Sequence, residues 1–352
     1  MKRVSLPVAI TVICGLIFLG LAAGFVTRRQ SKLEPKEIIK RTDYTEIARK
    51  TLDWIDQQRN EEGWYILGKT CGQKDCEVVW DDKKVGNKDG LIATWARLNF
   101  FEQHQDPKDL EIVKKDIDLF YDKYKDDNLS DSLWLCKITY EMAQSKYIDQ
   151  GQKDKLKELC MKKEIVDFSD QSLEKLKRNL VENNDFSKGV SFSYYFLMFQ
   201  NVYSGFGNVS ELLFKYKFTS DLSYSKMAKE ELIGIANKIN NKIDTSNYCI
   251  LGIGALDFYR FSKSNNDLIY ATNVHEKIPK EEQLAFNPFC GFLIKSLYKV
   301  TNDNKYLIVM EKNNQALVEN YNEHNLNSFF VSPNTYPKRD VFMNGLFVEI
   351  IR

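Results

Sequence analysis

Ala48–Phe101 reads ARKTLDWIDQQRNEEGWYILGKTCGQKDCEVVWDDKKVGNKDGLIATWARLNFF, and this stretch decides the fold. Tyr44, Ala48, Leu52 and Ile55 recur at helical spacing, so a helix is expected over 43–59. Gly63 stops it, and Trp64 and Tyr65 can fold back over its end. No period follows until Asn87. That interval holds Cys71, Cys76, Trp80 and the adjacent Asp81 and Asp82, with Glu77–Trp80 expected as a hairpin arm. A second helix starts at Asp89, and its Leu91, Ile92, Trp95, Leu98 and Phe101 leave hardly any polar face. A helix of that kind must be buried on most sides.

The plan recurs down the chain. Asp106 and Pro107 are a helix start, Asp as N-cap and Pro at the first helical position. The helix that follows carries one stripe: Leu110, Val113, Ile117, Phe120 and Tyr124. Ser130 is expected to cap another apolar helix, Asp131–Gln144. Amphipathic helices follow near 151, 170, 221, 267 and 302. Apolar ones follow near 191, 248, 288 and 341. Their starts lie about 40–60 residues apart, the spacing of helical hairpin repeats. Six apolar helices alternating with six amphipathic ones, some of the latter broken in two, predict an all-α, (α/α)6 toroid over 43–352, an inner ring wrapped by an outer one. An open solenoid would bare one flank of the inner helices, and these have no polar flank to bare. Seven prolines and 17 glycines in 352 residues suit such a helical domain.

In this layout, over residues 43–352, the chain resembles the (α/α)6 toroids, above all the six-hairpin glycosidase superfamily. WIDQQRNEEGWY is also similar to the helix-end repeat of the terpenoid-cyclase and prenyltransferase-like toroids. Glu62-Gly63-Trp64 departs from that repeat in spacing. Asp81-Asp82 is not the acid motif of those cyclases, and no Cys-His-Gly run like that of the lanthionine cyclases occurs. The resemblance implies a functional cleft where the chain leaves outer helices and enters inner ones: 60–88, 125–130, 183–190, 241–247, 278–287 and 321–340. The first and last connections are the longest and become neighbours when the ring closes.

The N-terminus carries a separate signal. Pro7–Val26 holds no charged residue and is flanked by Lys2, Arg3, Arg28 and Arg29. Its length matches a hydrocarbon core of about 30 Å. A signal peptide cleaved near Ala22 and Ala23 is the alternative, but the apolar run exceeds a usual signal-peptide core and favours an uncleaved anchor. The expected organisation is a transmembrane signal anchor over 1–27, a linker over 28–42 and the toroid over 43–352, facing the extracytoplasmic side. A net charge of +1 argues against a nucleic-acid partner. Cys71, Cys76, Cys136, Cys160, Cys249 and Cys290 allow 15 disulfide pairings. Cys71 and Cys76 are expected to staple their own loop. Their spacing, without a second Cys or His pair, makes a weak zinc site, so no metal is expected. Cys136 and Cys249 fit either a disulfide or a buried thiol.

Glycoside hydrolysis needs two carboxyl groups across the scissile bond. Asp81 and Asp82 beside Trp80, with Asp89 at the inner helix start, are the candidate catalytic residues. Each also has a plain reading, as a turn residue or an N-cap. Trp64, Tyr65, Trp80, Glu323 and Tyr336 are the candidate substrate contacts. Asp244, Glu323 and Asp340 are possible partner carboxyls. No nucleophile elbow or phosphate loop occurs, and no cofactor is expected. The expected function is binding, and hydrolysis, of a glycan by a membrane-anchored domain. The alternative is a non-catalytic toroid holding a glycan, peptide or protein at the same cleft.

Overall fold

The computed structural model describes residues 42–65, 68–71, 76–77, 88–127, 129, 132–165, 207–238, 245–277, 288–323 and 338–352. The outer helices are α1 (Thr45–Asp56), α3 (Pro107–Tyr124), α5 (Gln150–Lys162), α7 (Leu222–Lys238), α9 (Asn265–Lys277) and α11 (Asn304–Glu323). Between them run the inner helices α2 (Leu91–His104), α4 (Leu135–Ala143), α6 (207–219), α8 (Thr245–Ser262), α10 (Pro288–Thr301) and α12 (Val341–Ile351). In α2 every residue from Leu91 to Leu98 is buried, as the all-round apolar pattern demands.

The inner helices close on themselves. α2 packs on α4, α8 on α10, and α12 on both α10 and α2. Gly207 of α6 lies against Leu133 and Trp134 beside α4, and Gly254 of α8 against Val209 of α6. The closing contact is made against backbone. A Cβ on Gly345 of α12 would come within 3.0 Å of the backbone N and Cα of Ala93 in α2.

Inner helices run from one end of the ring, the mouth, to the other, the base. Most base turns are two residues long and built alike. Gln105, Ser220, Lys263 and Asn302 each adopt a left-handed conformation, with φ of 58°, 61°, 56° and 52°. Each amide donates to the carbonyl four residues back, closing α2, α6, α8 and α10. Asp106, Asp221 and Asp303 follow three of them, and their carboxylates accept from Lys108, Ser223 and Lys305 amides at 2.9–3.0 Å.

Two expectations shift. α4 begins at Leu135, a turn later than expected. The helix described in the third inner place is 207–219; the apolar run expected from Ser191 lies outside the described residues, as does the amphipathic stretch near 170. Helix 207–219 hides its Asn208, Ser210, Glu211 and Lys215, all buried. Glu211 accepts from the Cys136 amide and from Lys163 Nζ, so these polar residues are paired inside the core rather than solvated. Asn208-Val209-Ser210 has the Asn-X-Ser form of a glycosylation acceptor, but Asn208 is 2% exposed and thus not a surface acceptor.

The cysteines pair across helices: Cys136 of α4 with Cys160 of α5, and Cys249 of α8 with Cys290 of α10. Cys136 and Cys249 are therefore not free thiols. Among the described residues no helix is long and apolar enough to cross a membrane. Pro7–Val26 lies outside them.

Candidate functional site

At the mouth the first and last connections are fastened together. A small antiparallel sheet runs β2 (Cys76–Glu77), β1 (Gly68–Cys71), β3 (Lys338–Asp340). Gly68 pairs with Asp340 and Thr70 with Lys338, so β3 ends where α12 begins. The expected neighbourhood of these two connections is thereby built in hydrogen bonds. Cys71 faces Cys76 across the β1–β2 ladder, in register for the expected loop staple.

Asp89 is the middle residue of a 3-10 turn, Lys88–Gly90, that delivers the chain into α2. Gly90, not Asp89, is the N-cap of that helix. Trp64 and Tyr65, expected as substrate contacts, are buried, at 1% and 0% exposure. Gly63, at φ +84°, turns the chain back so that Tyr65 bridges to Arg59. Trp64 then packs on Phe120, Tyr65 and Tyr124. The Tyr65 hydroxyl donates to Asp116 at 2.7 Å and accepts from Arg59 at 2.7 Å. Burial, followed by the Asp116 charge, pushes its pKa well above the usual tyrosine range. These rings form the bed of the Asp89 turn: a Cβ on Gly90 would meet Tyr65 at 3.0 Å and Trp64 at 3.1 Å. Glu323 is the last residue of α11, where the final connection departs. Trp80, Asp81, Asp82 and Tyr336, along with Asp244, lie outside the described residues.

Opposite the Asp89 turn is a second acidic segment that the sequence reading passed over. Asp126 and Asp127 are consecutive, exposed, and stand just beyond α3 at the start of the second connection. Asp127 reaches Lys88 at 3.8 Å, which joins the first two connections at the mouth. Adjacent acidic residues in an expected mouth connection were a visible signal.

Beneath these loops the ring axis is filled. Trp134 takes the left-handed conformation, φ 57°, a costly state for so bulky a residue. That turn drives its indole across the ring onto Phe289 and Phe292 of α10, both at 5.7 Å, while Trp95 of α2 meets Phe292 at 5.9 Å. The indole N–H groups of Trp95 and Trp134 and the Ser132 hydroxyl have no hydrogen-bond partner among the described residues. Toward the base, Lys137 of α4 bonds both carboxylate oxygens of Asp257 in α8, at 2.8 and 2.9 Å, and Ser210 of α6 donates to the same carboxylate. Among the described residues the ring axis is therefore filled by side chains rather than open as a pore. The N-termini of the inner helices point toward the mouth, an environment that favours ionised carboxylates. Among the described residues no cluster of His, Cys, Asp and Glu could hold a metal ion.

No protein-family model matches the sequence, and no curated protein does. Solved structures do match. A glycoside hydrolase family 76 mannosidase from Bacteroides thetaiotaomicron superposes with a TM-score of 0.56 at 12% identity, over 88% of this chain and 97% of that one. A Salegentibacter α-1,6-mannanase, an inactive variant with two consecutive aspartates changed to asparagine and bound to α-1,6-mannotriose, gives 0.54 at 11%, over 88% and 98%. A Listeria innocua protein gives 0.51 at 12%, over 88% and 97%. At such identities the likeness is one of architecture alone, and the architecture that this chain shares with these structures is an α/α toroid.

Proposed function

We propose that this chain is a membrane-anchored, extracytoplasmic toroid that binds a glycan at the mouth of the ring and hydrolyses it with loop carboxylates. The observation that carries this is the sheet pairing of β1 with β3. It holds strands of the first and last connections, the two longest, side by side over the filled inner ring. The superposed mannanases support an α-linked mannan as the first glycan to test, since one of them holds mannotriose and loses activity when adjacent aspartates are changed. Asp81 and Asp82 are the adjacent pair assigned to the chemistry here, with Asp89 at the entry to α2. In this role one carboxyl protonates the leaving oxygen, and another activates water or attacks the anomeric carbon. Trp80 and Tyr336 supply sugar-facing rings, with Glu323 at the rim; Trp64 and Tyr65 act from beneath by placing the Asp89 turn.

The cross-helix disulfides support an oxidising compartment, and Pro7–Val26 supplies the anchor. Resistance of the full chain to alkaline carbonate extraction tests that anchor. The activity test is release of reducing ends from α-1,6-mannan and a broad polysaccharide panel. Asp81→Asn with Asp82→Asn is expected to abolish turnover while leaving the melting temperature unchanged. If only the Asp126→Asn, Asp127→Asn protein is dead, the chemistry belongs to the second connection and the assignment fails. Binding of a glycan without turnover by the wild type would replace hydrolysis with the binding-only reading.

A further inference from the structure

The second mouth connection is gripped at both ends by the same element. Lys162 is the last residue of α5, and Lys163 follows it as the cap. Lys162 Nζ donates to the Lys125 carbonyl at 2.7 Å, where α3 has ended and the connection begins. Lys163 Nζ donates to the Ser132 carbonyl, two residues before the cap of α4. Between the two grips stand Asp126 and Asp127. Leu129 also lies there, fully buried, and its carbonyl accepts from the Ser132 amide at 3.1 Å.

The inner grip carries buried charge. Lys163 and Glu211 of α6 are 1% and 0% exposed, and they meet at 2.7 Å. The other Glu211 oxygen accepts from the Cys136 amide at 2.6 Å. One buried ion pair thus holds the carbonyl of Ser132 and the amide of Cys136, on either side of the left-handed Trp134. The pair is itself seated from behind. Lys215 of α6 donates to the Lys163 carbonyl, and the Cys136–Cys160 bridge ties α4 to α5.

Stability does not call for charge at this place. A buried ion pair is often no more stabilising than well-packed apolar residues of its size, because both ions give up their water. What charge adds is direction: an ammonium aimed at one carbonyl and a carboxylate aimed at one amide, through short, strong hydrogen bonds. Trp134 resists its left-handed turn, and these two bonds bracket that turn. The segment they fix continues into the wall that Asp127 joins to Lys88 across the mouth, at 3.8 Å.

We infer that Lys163 and Glu211 are positioning residues, a clamp on the Trp134 turn that sets where the second connection stands at the mouth. The clamp's use in substrate binding rests on the glycan reading above. Removing either charge alone strands the other inside the core and destabilises the fold. The test variant is therefore Lys163→Met with Glu211→Gln. The new carboxamide still accepts from the Cys136 amide, the thioether fills the lysine stem, and no buried charge is left over.

Two measurements on the full chain in detergent read the result. Without ligand, hydrogen exchange at 125–136 is expected to speed up about tenfold or more, with α8, α10 and the melting temperature nearly unchanged. On α-1,6-mannan, KM is expected to rise about tenfold. A merely structural pair would lower the melting temperature and the folded fraction, which scales apparent kcat and leaves KM alone. Unchanged exchange at 125–136, or acceleration spread evenly over the ring, overturns the clamp. Faster exchange with an unchanged KM overturns its part in substrate binding. A wild type inactive on every glycan overturns the glycan reading, and exchange at 125–136 alone then decides the clamp.

Discussion

Single residues carry much of the acid sensitivity expected of this protein. Glu349 of α12 is buried, accepts twice from Arg352 at 2.6 Å and once from Asn99 at 3.0 Å, and ties the end of the chain to α2. Burial opposes its ionisation, yet Arg352 and Lys295 outweigh it and hold the carboxyl at about 2. A carboxyl depressed in the folded state contributes stability that is complete above its unfolded value, near 4.5, and lost as pH falls through 2. That contribution is on the order of 3 kcal/mol at neutral pH. Glu349→Gln is expected to flatten the fall in urea midpoint between about pH 4.5 and 2, besides lowering the neutral-pH midpoint by stranding Arg352. Tyr65→Phe is a milder change. It removes one hydroxyl from Asp116, which keeps Arg59 at 2.7 Å, so a loss of about 1–2 kcal/mol is expected by the same titration.

At the level of helices and turns, the base turns store small, repeated strain. Lys263→Gly or Gln105→Gly relieves a left-handed side-chain penalty, partly offset by glycine's entropy, and is expected to stabilise by about 0.5–1 kcal/mol. Gly345→Ala presses a methyl onto backbone of α2 that cannot rotate away. A loss of about 1–3 kcal/mol in a denaturant titration is expected. These elements also show what could be read in the sequence. Asp106 with Pro107, and the apolar faces of α2, α8 and α10, announced themselves, because burial on every side writes an unbroken apolar run. Helix 207–219 did not: Glu211 and Lys215 look like surface residues until Lys163 and backbone carbonyls are found satisfying them. Trp64 and Tyr65 follow a glycine in a polar stretch and looked available for a sugar. Only the left-handed Gly63 and the Asp116 partner, 51 residues on, send them into the core. Cysteine pairs 24 and 41 residues apart likewise follow from helix neighbours that no spacing rule ranks.

Over the whole molecule, stability depends on keeping a ring shut. The Cys249–Cys290 bridge joins two neighbouring inner helices, and removing it as Cys249→Ser with Cys290→Ser is expected to cost about 2–4 kcal/mol. In urea titrations the midpoint should fall with little change in slope. The β1–β3 pairing has a different consequence, one of timing. Its two strands come from opposite ends of the domain, so β1 leaves the ribosome tens of seconds before β3 exists to cover it. During that interval β1 is an open sheet edge, able to accept a β3 from another chain that has already finished. The same ladder that closes one ring is thus the point at which two nascent copies can trade ends, so crowded synthesis should favour exchanged dimers over monomers.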